Sequence, residues 1–209
     1  MRARDVMSAP VVTVTTETLV KDAAKLLIDR DFTALPVVDE DDRLIGIVTE
    51  ADLVRDRFPR DPRFRHTYLA ELAELAAGGL PGNTVGAVMT TPVTALSAGT
   101  DVVEVVTVML NERVRAIPIV DGSTIVGIVT RRDLVRVLAR DDAAIATEIR
   151  QRLAGYAGPD RWTVQVHDGR VEISDEFDNA TDRHVATVLA EAVPGVISAH
   201  ASGPRQVRR

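Results

Sequence analysis

Gly46-Ile47-Val48-Thr49-Glu50-Ala51-Asp52-Leu53-Val54-Arg55 returns later in the chain as Gly127-Ile128-Val129-Thr130-Arg131-Arg132-Asp133-Leu134-Val135-Arg136. Two segments upstream repeat with it. Val6-Met7-Ser8-Ala9-Pro10-Val11 matches Val88-Met89-Thr90-Thr91-Pro92-Val93, and Ala34-Leu35-Pro36-Val37-Val38-Asp39 matches Ala116-Ile117-Pro118-Ile119-Val120-Asp121. Pro10 and Pro92 stand 82 residues apart but Gly46 and Gly127 only 81, so the second copy has lost one residue. The loss falls between Asp39-Glu40-Asp41-Asp42 and Asp121-Gly122-Ser123-Thr124, where a turn tolerates it. A repeat of this length sets the architecture and is read before anything else.

Each copy carries the same periodicities. Val20, Ala23, Ala24, Leu27 and Ile28 follow the spacing of an amphipathic helix, and Val102, Val105, Val106, Met109 and Leu110 repeat it, with Asp101 and Glu104 spaced as a capping box. Leu35 to Val38, Leu44 to Thr49, Ile117 to Val120 and Ile125 to Thr130 are short apolar runs bounded by acidic turns, which predicts buried strands. A helix then opens at Leu53-Val54 and at Leu134-Val135. Each copy therefore reads strand, helix, strand, strand, helix, with one apolar face that a single copy cannot cover. Two copies packed sheet to sheet would bury it.

The remaining chain falls into a linker and a second unit. Residues 58–83 form a linker: prolines 59 and 62 keep its start irregular, and Leu69, Leu72, Leu75 and Ala76 predict one helix over 68–77. From Asp142 the pattern is new. Ile145, Ile149 and Leu153 make a helical stripe ending at Gly155. Trp162, Val164 and Val166 alternate, Asp168-Gly169 makes a hairpin turn, and Val171 and Ile173 alternate again. A helix follows from about Asn179 to Ala192, with Val185, Val188, Leu189 and Ala192 aligned, and Val193-Pro194-Gly195-Val196 leads into a last strand. The fold class is α/β (α+β), with boundaries at 1–57, 58–83, 84–140, 142–203 and a flexible tail at 204–209.

Composition narrows the function. With 25 Lys and Arg against 31 Asp and Glu, the net charge of −6 gives no global attraction to nucleic acid or to anionic lipid. The absence of cysteine excludes thiolate nucleophiles, disulfides and Cys-ligated metals, and suits a reducing compartment. His66, His167, His184 and His200 show no metal-ligand spacing, and neither a nucleophile elbow nor a phosphate-binding Gly-Lys-Ser/Thr loop is present. No signal peptide or membrane span is read. The expectation is a cytoplasmic protein that is not an enzyme, without metal or cofactor.

The pattern Val-Met-x-x-Pro, Leu/Ile-Pro-Val/Ile-Val-Asp and Gly-Ile-Val-Thr-x-x-Asp-Leu resembles a tandem pair of cystathionine-β-synthase (CBS) domains, a Bateman module, over residues 1–57 and 84–140. The resemblance implies a regulatory protein that binds an adenine nucleotide, AMP, ADP, ATP or S-adenosylmethionine, between the repeats, and that pairs as a homodimer. Val164-Gln165-Val166-His167-Asp168-Gly169-Arg170-Val171-Glu172-Ile173, with Val193-Pro194-Gly195-Val196, resembles a BON domain, a family associated with phospholipid surfaces. Asp175 stands where that family usually has Gly. Asp175, Glu176 and Asp178 read as an acidic cluster, so membrane contact is not expected. The BON-like domain would pass the signal to an unknown regulated protein; the alternative is a ligand-free dimerisation scaffold that uses it for protein or membrane attachment.

Thr49-x-x-Asp52 and Thr130-x-x-Asp133 stand where a strand ends and a helix begins. A hydroxyl and a carboxylate three residues apart there can reach a phosphate and a ribose. The same spacing is a capping box that satisfies the helix's own amides. Spacing alone favours the cap; the double occurrence in a CBS-like frame favours the ligand, and the roles are compatible. Arg131 and Arg132 flank the second motif where Glu50 and Ala51 flank the first, so phosphate charge suits the second better. Ile117 and Pro118, and their counterparts Leu35 and Pro36, are the expected apolar wall for adenine. Arg55, Arg57, Arg60, Arg63 and Arg65 with Phe58 and Phe64 read as a solvated loop, since Asp52, Asp56 and Asp61 are interleaved.

Overall fold

The computed structural model describes residues 1–55, 57, 82–177 and 179–204. The helix expected over 68–77, most of the arginine-bearing loop and all of the tail but Pro204 lie outside these. The first repeat forms β1 (Val14–Thr15), α1 (Val20–Arg30), β2 (Ala34–Val38), β3 (Leu44–Thr49) and α2 (Glu50–Val54). The second forms β4 (Leu96–Ser97), α3 (Val102–Asn111), β5 (Ala116–Asp121), β6 (Thr124–Thr130) and α4 (Arg131–Leu138). Then come α5 (Asp142–Ala157), β7 (Trp162–His167), β8 (Arg170–Asp175), α6 (Ala180–Glu191) and β9 (Ser198–Ser202). The expected element order holds in all three segments.

Each segment supplies one three-stranded sheet, ordered β1-β2-β3, β4-β5-β6 and β7-β8-β9. In the first, β1 runs parallel to β2 and β2 antiparallel to β3; β4 and β5 are likewise parallel. The whole length of β2 is buried, as its unbroken apolar run requires of a strand covered on both faces. Ala34 and Ile47 share one hydrophobic cluster with Ala116 and Ile128, which joins the two repeat sheets as expected.

The chain divides into two compact units, one holding Met1–Ser8, Gly99–Arg115 and Val129–Arg209, the other Ala9–Ala98 and Ala116–Ile128. The division cuts across the repeats because their entry segments are exchanged. In the first unit Ala3 N–H donates to the Thr100 carbonyl at 2.8 Å, Val102 N–H to Met1 at 3.2 Å, and the Arg2 guanidinium to Gly99 at 2.8 Å. In the second, Val20 N–H donates to Asn83, Val85 N–H to Thr18 and Gly86 N–H to Thr16, at 2.8–2.9 Å. Val85, from the entry of the second repeat, is fully buried among Val20, Ala23, Leu27 and Leu35 of the first.

Three local expectations are corrected. Ile28 and Leu110, placed on the core stripes, are 80% and 63% exposed. Each sits about 80° around its helix from Val20 or Val102, so the core takes Val20, Ala23 and Leu27, or Val102, Val105 and Met109, and leaves the fifth residue at the flank. Helix α5 passes Gly155 and stops at Ala157, where Gly158 turns out at φ 88°. Helix α6 faces its sheet with Ala186 and Ala190, not Val188, which is 50% exposed and lies about 200° round the helix from Ala186. Small side chains allow the helix to lie close to the sheet, and apolarity alone did not reveal that face.

The C-terminal core is Ile145, Ile149 and Leu153 of α5, Trp162, Val164, Val171 and Ile173 of the hairpin, and Ala186, Ala190 and Val193. Two glycines fix its loops. Gly169 (φ 71°) follows Asp168 (φ 48°) in the hairpin turn, and a Cβ there would stand 2.6 Å from the Gly195 carbonyl. Gly195 (φ 94°) leaves no room for a Cβ beside Ile145, 2.8 Å away.

Candidate functional site

Both Thr-x-x-Asp motifs fold as the cap geometry dictates. Thr130 is the N-cap of α4; its amide and hydroxyl donate to Asp133 Oδ2 at 2.8 and 2.6 Å, and its hydroxyl accepts from the Asp133 amide at 3.3 Å. At the end of β3, the amide and hydroxyl of Thr49 donate to Asp52 Oδ2 at 2.9 and 2.7 Å. One oxygen of each carboxylate thus closes a helix start. The other oxygen faces outward from that cap. Asp133 Oδ1 accepts from Ser8 Oγ at 3.1 Å and from Arg136 Nη1 at 3.0 Å, whereas Asp52 Oδ1 has Arg55 Nη2 at 3.6 Å. Both aspartates are buried, yet Asp133 lines a cavity of about 490 Å³ together with Val6, Arg136, Val137, Arg140, Glu148 and Pro194.

Other expected residues fall elsewhere. Arg131 donates from its guanidinium to the Met109 carbonyl at 3.4 Å and from its amide to Arg115 at 3.0 Å. Leu35 and Ile117 have no exposed surface, and Pro36 and Pro118 are buried beside them in β2 and β5. These four residues build the sheet interiors. Sequence reasoning missed Ser8 and Arg136. Arg136 was legible in principle, since it stands three residues after Asp133 as Arg55 does after Asp52, one helical turn on. Ser8 was not, because only the exchanged entry segment brings it to Asp133.

The cavity continues onto the C-terminal domain. Arg140, just past α4, donates to the Pro194 carbonyl at 2.7 Å and to Glu148 at 2.8 Å, and Arg152 donates to the other oxygen of Glu148 at 2.7 Å. Burial pushes the Glu148 carboxyl up, but the two guanidinium hydrogen bonds outweigh it and hold its pKa below the usual glutamate value. At the far end of that domain Asp175 is buried. Arg161 grips both its oxygens at 2.8 and 2.9 Å, donates to Asp182 at 2.6 Å, and stacks over Trp162 and Phe177. The acidic cluster read from the sequence thus loses Asp175, whose charge is neutralised inside; Asp178 lies outside the described residues. Asp142, His167 and Asp168 come within 4.8 Å of one another, a grouping that spacing did not reveal, but the Asp142 oxygens are held by the amides of Asp168 and Gly169 at 2.7 and 3.0 Å. That contact clamps the hairpin turn to α5.

Two exchanged α/β repeats with twin Thr–Asp helix starts, followed by a small α/β domain, define a tandem-repeat module with a C-terminal appendage. The chain belongs to the CBS-domain family: CBS domains match residues 3–57 and 85–140, just over half of the chain, and a BON domain matches 141–198. Hypoxic response protein 1 of Mycobacterium tuberculosis is 31% identical over 137 residues, covering 65% of this chain and 84% of that protein. The chain is similar to CBSX2 of Arabidopsis thaliana solved in complex with AMP, with 29% identity, TM-score 0.53, and 65% and 93% of the two chains covered. It is also similar to the CBS pair of protein MJ0100 solved with 5′-methylthioadenosine and S-adenosyl-L-methionine, with 28% identity, TM-score 0.51, and 66% and 94% covered. Among the described residues no helix is long and apolar enough to cross a membrane.

Proposed function

We propose that the protein is a cytoplasmic, non-catalytic regulator whose CBS pair binds an adenine nucleotide, AMP, ADP, ATP or S-adenosylmethionine, and transmits occupancy through the BON domain to a regulated protein. The observation that carries this reading is Asp133: a buried carboxylate with one oxygen fixed in the helix cap and the other beside a cavity of about 490 Å³, within the usual range for small-molecule sites. A ribose hydroxyl donating to Oδ1 takes the place of Ser8 or Arg136. Its phosphate lies near Thr130 and Arg131 at the start of α4, where backbone amides and the helix dipole favour an anion. Thr49 and Asp52 form the poorer second site, since Glu50 follows where Arg131 stands in the other repeat. An adenine against Ile117 and Pro118, or against Leu35 and Pro36, requires that buried face to open. The AMP and S-adenosylmethionine complexes of similar CBS pairs support the ligand class.

A second reading, a ligand-free scaffold, draws on different observations. Every Asp133 oxygen already has partners, and Val103, Leu110, Val135 and Leu138 expose apolar surface on α3 and α4. Isothermal titration with AMP, ATP, S-adenosylmethionine and NAD separates the two. The proposal expects saturable binding of at least one adenosyl ligand, and no binding across the panel leaves only the scaffold.

A further inference from the structure

The cations that converge beside Asp133 are not the Arg131 and Arg132 that the motif suggests but Arg136, Arg140 and Arg152, all lining the same cavity. Two of them are joined by a single carboxylate. Glu148 accepts from Arg140 on one oxygen and from Arg152 on the other, at 2.8 and 2.7 Å, with its side chain 31% exposed. Two guanidiniums sharing one half-exposed carboxylate at a cavity wall reproduce the way paired arginines hold a phosphate. An exchange here would be local: a phosphoryl group would take both guanidiniums and Glu148 would turn to solvent, where its charge is hydrated. The remaining acids of the cavity are engaged, Asp133 in the α4 cap and Asp5 with the Arg2 amide at 2.7 Å, so the freed arginines face the incoming anion. Arg140 also holds the Pro194 carbonyl, and Arg152 and Glu148 both belong to α5, so an anion here touches the BON domain directly.

We propose that this cavity receives the outer phosphates of the nucleotide's polyphosphate tail, beyond the first phosphate at Thr130 and Arg131, with Glu148 as the internal carboxylate that they displace from Arg140 and Arg152. The inference rests on the reading that the ribose sits at Asp133, and it makes the ligand a nucleoside triphosphate or diphosphate in preference to the monophosphate. It also gives the BON domain a direct contact with the ligand. Without the tail, Glu148 closes the pair. With it, the hydrogen bond from Arg140 to Glu148 of α5 is exchanged for bonds to phosphate.

The test is titration of the full chain with AMP, ATP and tripolyphosphate, for wild type, Arg152→Gln and Glu148→Gln. ATP is expected to displace AMP and to bind more tightly. Arg152→Gln should reduce the ATP-over-AMP preference by about tenfold or more, the worth of one charge-assisted hydrogen bond, and Glu148→Gln should raise it by removing the competitor. Opposite shifts in the two variants cannot both come from a general loss of folding. If AMP binds and the preference is absent in wild type or unmoved in both variants, the tail pocket is wrong while the nucleotide proposal stands. Binding of tripolyphosphate that does not compete with ATP would place a free anion outside the path of the tail and overturn the tail assignment; binding of neither AMP nor ATP overturns it as well, and the broader proposal then stands or falls on S-adenosylmethionine.

Discussion

Single residues in this chain do double work. Asp133 closes the first turn of α4 and offers its second oxygen to a cavity, so its replacement acts on both the fold and the site. Asp175 shows the purely structural case. Its carboxyl is held below the ordinary aspartate range chiefly by the Arg161 hydrogen bonds, with burial opposing and the Phe177 amide assisting. Asp182 is lowered by the same guanidinium and by the Tyr156 hydroxyl. A carboxyl that holds its proton less tightly in the folded state leaves the unfolded chain to bind protons first on acidification. The contribution is therefore complete above about pH 3.9, the ordinary aspartate value, and is lost as pH falls from there through the lower native value. Thermal melts across that window should show an acid-induced loss of stability that flattens in Asp175→Asn. An equally steep acid limb in the variant would mean that other carboxyls govern it.

At the scale of elements, the hairpin turn is the most sharply specified feature. Asp168-Gly169 between two alternating strands reads as a type I′ turn, and both residues adopt positive φ. Gly169 carries a second demand, the approach of the Gly195 carbonyl, which no turn rule reveals. Gly169→Ala should cost at least about 1–2 kcal/mol from the left-handed backbone alone, with more from that contact. Chemical denaturation followed by Trp162 fluorescence would read it, and a variant as stable as wild type would contradict the assignment. Elements whose pattern reaches the core were legible: the 3.6-residue period marked α1 and α3, and short unbroken apolar runs between turns marked the two strands of each repeat. The sheet face of α6 was not, because Ala186 and Ala190 are chosen for size, a property that hydrophobic periodicity does not see.

For the molecule as a whole, the internal repeat disclosed the architecture and the Thr-x-x-Asp pairs, but not the exchange of entry segments. Local patterns carry no information about which copy a crossing segment packs against. Ser8 therefore reached Asp133 unannounced, and the arginines of the cavity were visible only as scattered charges. The exposed apolar side chains of α3 and α4, Val103, Leu110, Val135 and Leu138 at 61–77%, are what a second copy would cover. Light scattering at micromolar concentration should give the dimer mass, and a monomer mass would remove the homodimer from the proposal.

The claim that Asp133 is a ligand residue as well as a cap is tested most directly by titrating wild type and Asp133→Ala with the tightest-binding adenosyl ligand, alongside their melting curves. Loss of the cap should lower stability by about 0.5–2 kcal/mol. Loss of a hydrogen bond to a charged group, about 1.5–3 kcal/mol, should weaken binding by roughly 10- to 150-fold when measured well below the melting temperature. Asp52→Ala should weaken it less. Equal affinities for wild type and Asp133→Ala, with only the melting temperature lowered, would leave Asp133 a cap and nothing more.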